Sequence, residues 1–164
     1  GTPLATRAAL LHLVGNGLAK SVTFTATGEI TAHAGTAQIG QLRGLLQRDR
    51  FPAAVFTLGV VALLGLPPFS ILASEIALVR AGIDTGYTWL ILIALGVMMV
   101  IFTAIAAHTL DMITGPAAPG TAPRLLPAPT RIAWAAGLVA AATLGVTIWP
   151  INQLLHDAAQ VLTP

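Results

Sequence analysis

An all-α bundle of four transmembrane spans, the second broken at Gly65-Leu66-Pro67-Pro68, is the fold class that this 164-residue chain predicts. Three observations carry that prediction. Hydrophobic residues make up 55% of the chain and charged residues only 9%, against about 25% charged in an ordinary soluble domain. The mean hydropathy is +0.83. The charges are also spaced so that residues 51–74, 85–110 and 132–156 carry none, apart from those that bound each gap, and Lys20 is the single charge between Arg7 and Glu29. A helix needs about 20 mostly apolar residues to cross roughly 30 Å of hydrocarbon, so each gap holds one span and no soluble domain is left over.

The first span is expected over about residues 6–33, where Leu, Val and Ala alternate with Gly15, Gly17 and the Thr23, Thr25, Thr27 series, small residues that suit close helix packing in lipid. Residues 35–50 turn polar and basic, with Arg43, Arg48 and Arg50 against Asp49. The second span, about 51–81, is interrupted by Pro67 and Pro68, which remove backbone donors and block the preceding turn, so two half-helices are expected. A tight turn at 82–86 leads to the third span, about 87–112, with Tyr87 and Trp89 as interfacial aromatics at its entrance. Five prolines between Thr114 and Thr130 predict an extended loop. The fourth span is expected over 131–149, ended or kinked by Pro150, with a short amphipathic helix after it.

Arg43, Arg48, Arg50, Arg124 and Arg131 fall on one side of these spans, and Arg7 and Arg80 on the other. The positive-inside rule puts loops 35–50 and 112–130 in the cytoplasm and the 82–86 turn outside, in a multi-pass protein of the cell inner membrane. The net charge of +2 is read as topology and not as a nucleic-acid footprint. The absence of cysteine excludes disulfides, cysteine-ligated zinc, iron–sulfur clusters held by this chain and a thiol nucleophile, so any redox centre is expected in a partner. Without an initiator Met, and with a span starting almost at Gly1, the chain is expected to be a fragment or one half of a split subunit.

Polar residues inside apolar spans are the candidate functional groups. His12, Asn16 and Lys20 recur at i, i+4 and i+8. A lysine near the bilayer centre costs roughly 2.5–3.5 kcal/mol on insertion scales, so Lys20 is expected to face protein or water, as a proton carrier or as a structural hydrogen-bonding group. Glu75, with Ser74, follows the proline break by about two turns; interrupted spans are tolerated where freed backbone lines a cavity, and they recur at ion sites. The alternative places Glu75 at the interface, paired with Arg80. His108 and Asp111 form an i, i+3 pair that reads as an interfacial anchor or a proton-entry pair. His33 and His156 receive no role, and the four histidines lack metal-ligand spacing. No nucleophile elbow or phosphate-cradling glycine loop is present.

The stretch Leu11-His12-Leu13-Val14-Gly15-Asn16-Gly17-Leu18-Ala19-Lys20-Ser21, with Phe24 and Gly28, resembles the H-x-x-x-H-x-x-x-K-[AS]-x-x-F-x-x-x-G signature of antiporter-like proton-translocating membrane subunits. Those subunits occur in respiratory complex I, Mrp-type sodium/proton antiporters and membrane-bound hydrogenases. Leu42-Arg43-Gly44-Leu45 and Gly65-Leu66-Pro67-Pro68-Phe69-Ser70-Ile71-Leu72-Ala73-Ser74-Glu75 extend the match, which looks most like the branch formed by the F subunit of hydrogenase-4 and covers residues 8–112. The resemblance implies the last four of about fourteen spans in two inverted repeats. It puts Lys20 on the central lysine of the second half-channel and Glu75 on the terminal position of the broken helix. His12, Asn16 and Ser74 would complete the proton path. Asn16 departs from the family's histidine and cannot titrate, so a relay there would need water. The glutamate–lysine pair of the first half-channel is absent. The implied function is one half-channel of a hydrogenase or complex-I-like redox complex, with no cofactor in this chain. Iron–sulfur, nickel-iron or flavin centres would sit in partner subunits, and the partners would be other membrane subunits, a peripheral redox arm and lipid. A sodium/proton antiporter subunit and a non-conducting scaffold are the rival readings.

Overall fold

The computed structural model describes residues 2–116, 125–147 and 152–162. Among them the chain is helical without strands: α1 Pro3–Ala34, α2 Leu45–Arg48, α3 Arg50–Leu63, α4 Ser70–Asp84, α5 Thr88–Thr114, α6 Ala128–Val146 and α7 Asn152–Leu162. Most of the proline-rich loop, including Pro119, Pro123 and Arg124, and the expected helix end at Trp149 and Pro150 lie outside the described residues.

Helix α1 starts at a capping threonine, where the Thr2 hydroxyl accepts from the Ala5 N–H and Pro3 occupies the first turn, a position where its missing donor costs nothing. It ends at Gly35, whose left-handed backbone (φ 68°) closes the last turn. Its length makes α1 the axis of the fold, with α3 and α4 packed along it and α6 and α7 alongside. One core joins Val22, Ala26 and Ile30 of α1 to Ala53, Phe56 and Val60 of α3 and to Trp134 of α6. Close approach is set by small residues. A Cβ at Gly59 would overlap the Thr23 hydroxyl, and one at Gly15 would overlap that of Ser70. Trp134 Nε1 donates to Thr25 Oγ1 at 2.9 Å, tying α6 to α1.

The break between α3 and α4 follows from the two prolines. The α-helical partners of the Leu63 and Leu64 carbonyls would be the N–H groups of residues 67 and 68, which proline lacks. The chain turns at Gly65 (φ 66°), where the Leu64, Gly65 and Leu66 N–H groups bond back to Val60, Ala62 and Val61. No backbone N–H reaches the carbonyls of Leu63 or Leu64 among the described residues. Helix α6 supports the break from behind: a Cβ at Gly145 would run into the Pro68 carbonyl and the Phe69–Ser70 backbone.

Helix α5 stands apart. Ile91 packs on Gly82 near its start, and Thr109, Met112 and Ile113 are buried near its end, while residues between them expose Leu92, Met99, Val100 and their neighbours. Among the described residues two helices are long and apolar enough to cross a membrane by themselves, α5 with mean hydropathy 2.8 over its most apolar stretch and α6 with 1.2. Helix α1 has the length, but its glycines, threonines and charged residues dilute its hydropathy, and α3 and α4 are each too short alone.

Candidate functional site

The proline break positions Glu75. Restarting at Ser70, α4 runs back along α1 and presents Ser74 and Glu75 on adjacent parts of its surface. Ser74 is fully buried; its hydroxyl donates to the Ile71 carbonyl at 2.7 Å and meets His12 Nδ1 at 3.0 Å. The hydroxyl has one proton, already given to the carbonyl, so it is free to accept from an imidazole N–H, which fixes that tautomer for the bond. This contact joins residues 62 positions apart.

Glu75 turns to the other side of α4, toward the break. Its carboxylate lies against Gly65, so closely that a Cβ there would overlap Oε2 and stand 3.1 Å from Cδ. It lines a cleft of about 420 Å³ between the α3 end, α4 and α5, together with Leu63, Leu64, Leu95, Met98 and Phe102. The cleft lies where α5, packed on the bundle near its two ends, leaves its middle uncovered. Its lining residues are apolar apart from Glu75, and they include Leu63 and Leu64, whose carbonyls the prolines leave without α-helical partners. Arg80 makes no ion pair with Glu75 among the described residues.

Lys20 is not brought to this group. It is exposed, on the side of α1 that also exposes Leu13, Gly17 and Phe24, and that no described element covers. The reason is angular: eight residues at 3.6 per turn advance a side chain about 80° past two full turns, so the stripe that starts on the α4 side at His12 has rotated away by Lys20. Asn16, between them, is half-buried. His108 and Asp111 are both exposed near the end of α5, where His108 Nδ1 meets the Ala104 carbonyl at 2.7 Å.

One cluster escaped the sequence reading. His33 Nε2 lies 3.6 Å from Asp49 Oδ2, with both residues largely buried, and Glu29 lines the same small cavity one turn before His33. The i, i+4 spacing of Glu29 and His33 was the available signal, together with Asp49 as the lone acid in a basic loop. At the other end of α1, Arg7 Nη2 contacts His156 Nδ1 of α7.

A family model described as NADH:quinone oxidoreductase/Mrp antiporter, TM, matches residues 1–103. The chain is 32% identical over 93 residues to NADH-quinone oxidoreductase subunit N 1 of Streptomyces griseus, an alignment covering 57% of this chain and 19% of that protein. It is 27% identical over 105 residues to the D subunit of the Na(+)/H(+) antiporter of Bacillus subtilis, covering 63% and 21%. The chain thus spans about a fifth of the length of these curated relatives. The matched region contains α1, the break, Glu75 and most of α5.

Proposed function

The chain belongs to the NADH:quinone oxidoreductase/Mrp antiporter transmembrane family, and from that membership we propose that it forms the carboxyl-terminal part of a proton-translocating membrane subunit, contributing one half-channel to a complex-I-like or membrane-bound hydrogenase complex. The observation that carries the reading is the seat of Glu75: a titratable carboxylate in a cleft, against a helix break whose open carbonyls can hold water, and beside the His12–Ser74 pair. In lipid such an arrangement is costly unless it is hydrated and used.

In this reading α1, the broken pair α3–α4, α5 and α6 are the four spans. At 1.5 Å per residue α1 is ~48 Å long and α3 with α4 together ~43 Å, both enough to cross ~30 Å of hydrocarbon. The protein sits in the cell inner membrane with loops 35–50 and 112–130 facing the cytoplasm. Glu75 exchanges its proton with water in the cleft, the His12–Ser74 pair carries the path on between α4 and α1, and Lys20 faces the side of α1 left open for further spans. His108 and Asp111 lie where a proton could enter α5 from the cytoplasm. Redox chemistry, with its iron–sulfur, flavin or nickel-iron centres, belongs to partner subunits of a peripheral arm.

Proton translocation in inverted membrane vesicles tests the proposal. Lys20→Met is expected to abolish it with assembly intact, Glu75→Gln to impair it, and Asn16→His to leave it working. Normal pumping by Lys20→Met would identify a scaffold instead. The sodium/proton antiporter reading draws on the similarity to the Bacillus subtilis antiporter protein; it requires translocation to depend on sodium, and Glu75 is the single carboxylate among the residues lining the cleft that could ligate the ion.

A further inference from the structure

At the end of the bundle where α1 stops, Arg48, Arg50 and Arg131 surround a cavity of about 280 Å³. They come from two places in the chain, the α2–α3 junction and the first turn of α6, so the packing of α6 against α1 and α3 brings their charges together. None of the three is in an ion pair among the described residues. Asp49, the one acid lining the cavity, has its carboxylate directed at His33 of α1. The cavity therefore has an excess of positive charge that its described lining residues do not balance.

A second cavity, about 270 Å³, adjoins the first. Phe51 and Arg131 line both, and beyond them the second is bounded by Ala128, Ile132 and Ala135 along one side of α6. Phe51 stacks on buried Trp134 with ring centroids 6.1 Å apart, and the Arg131 guanidinium lies over the Phe51 ring, 5.2 Å from its centroid. Leu125, 93% exposed, stands at the mouth of the charged part, an apolar side chain that no described residue covers. Charge at one end and an apolar trough at the other is the pattern of an amphiphilic anion. A free phosphate would fill the arginine cavity and leave the trough empty. Basic pockets at the cytoplasmic end of membrane helices are suited to anionic headgroups.

Resting on the membrane reading above, we propose that this paired cavity seats one anionic phospholipid. Its phosphate lies among Arg48, Arg50 and Arg131, and one acyl chain follows Phe51, Ile132 and Ala135. The lipid balances the arginine charge where α3 meets α6, and so holds α6 in place behind the proline break.

The test uses the full membrane protein carrying this chain. Resistance of the protein to alkaline-carbonate extraction is measured first; release from the membrane would be a failure of the membrane reading and would be seen before any lipid is added. Spin-labelled phosphatidylglycerol and phosphatidylcholine are then compared on the purified protein, with native mass spectrometry of retained lipid. The expected result is a preference for phosphatidylglycerol that falls about fivefold for each of Arg48→Gln, Arg50→Gln and Arg131→Gln. Arg80→Gln, which lines neither cavity, is expected to leave it unchanged. Ala135→Phe, which fills the trough with every arginine in place, is expected to abolish retention. A carbonate-resistant protein without a phosphatidylglycerol preference overturns the proposal. So does a preference that survives Ala135→Phe, or one that inorganic phosphate removes as well as the lipid does, because either outcome identifies a site for a free anion or an acidic protein segment.

Discussion

Replacing Gly65 by alanine perturbs the candidate site at one atom. The position has φ 66°, and an L side chain held there costs roughly 1–2 kcal/mol in backbone conformation alone. The added Cβ also occupies the place of Glu75 Oε2 and lies 3.1 Å from Cδ. Because the obstruction is the end of a flexible side chain, the carboxylate swings away and the fold survives, so stability should fall by about 1–3 kcal/mol in total. Translocation should fall further than stability, at least ~10-fold, because a group moved by about an ångström loses its positioned partners. Two measurements separate these effects: acidification of inverted vesicles normalised to subunit content, and thermal unfolding of the purified protein. In a double-mutant cycle with Glu75→Ala, which removes the obstructed carboxylate, Gly65→Ala should retain its backbone cost and lose the rest, a coupling of about 0.5 kcal/mol or more. Wild-type translocation by Gly65→Ala, or zero coupling in the cycle, would refute the seating of Glu75 against the break.

Ser74→Ala removes the partner of His12 from a fully buried position, and stability should drop by about 1–3 kcal/mol, less in a His12→Ala background; thermal unfolding of the four proteins of the cycle checks this. Gly145→Ala drives a Cβ into rigid backbone at Pro68–Ser70, with an expected cost of about 1–3 kcal/mol and displacement of α6, visible as increased protease cleavage near the break. For topology, a cysteine placed near Arg43 should label with an impermeant maleimide from the cytoplasmic side only, and one near Asp84 from the outside only. The reverse pattern for either would break the four-span assignment.

Hydropathy, charge spacing and proline were enough to read the long helices, because each is a local property, while the short α2 formed inside a stretch read as a basic loop. An apolar run of 20 or more residues satisfies its backbone within itself, and two adjacent prolines deny donors to two known carbonyls whatever surrounds them. The same local chemistry marked His12, Asn16, Lys20, Ser74 and Glu75 as polar groups in apolar helices, and the family signature follows from their order. Which of them meet is a different kind of fact. Spacing at i, i+4 and i+8 suggested one stripe, but the helix turns about 80° beyond register over that distance, so His12 reaches Ser74 while Lys20 stays on the open side of α1. Gly65 gave no sign in the sequence that it would hold a carboxylate ten residues later, since that depends on how the chain leaves the break and on the Glu75 side chain reaching back toward the start of α4. His33 and Asp49 became partners because α3 returns along the end of α1, and three arginines share a cavity because α6 packs there too. Periodicity tells which residues share a face of one helix; only the packing of helices far apart in sequence decides what that face touches, because side-chain partners are set by interhelical geometry and not by the backbone hydrogen bonds that make each helix.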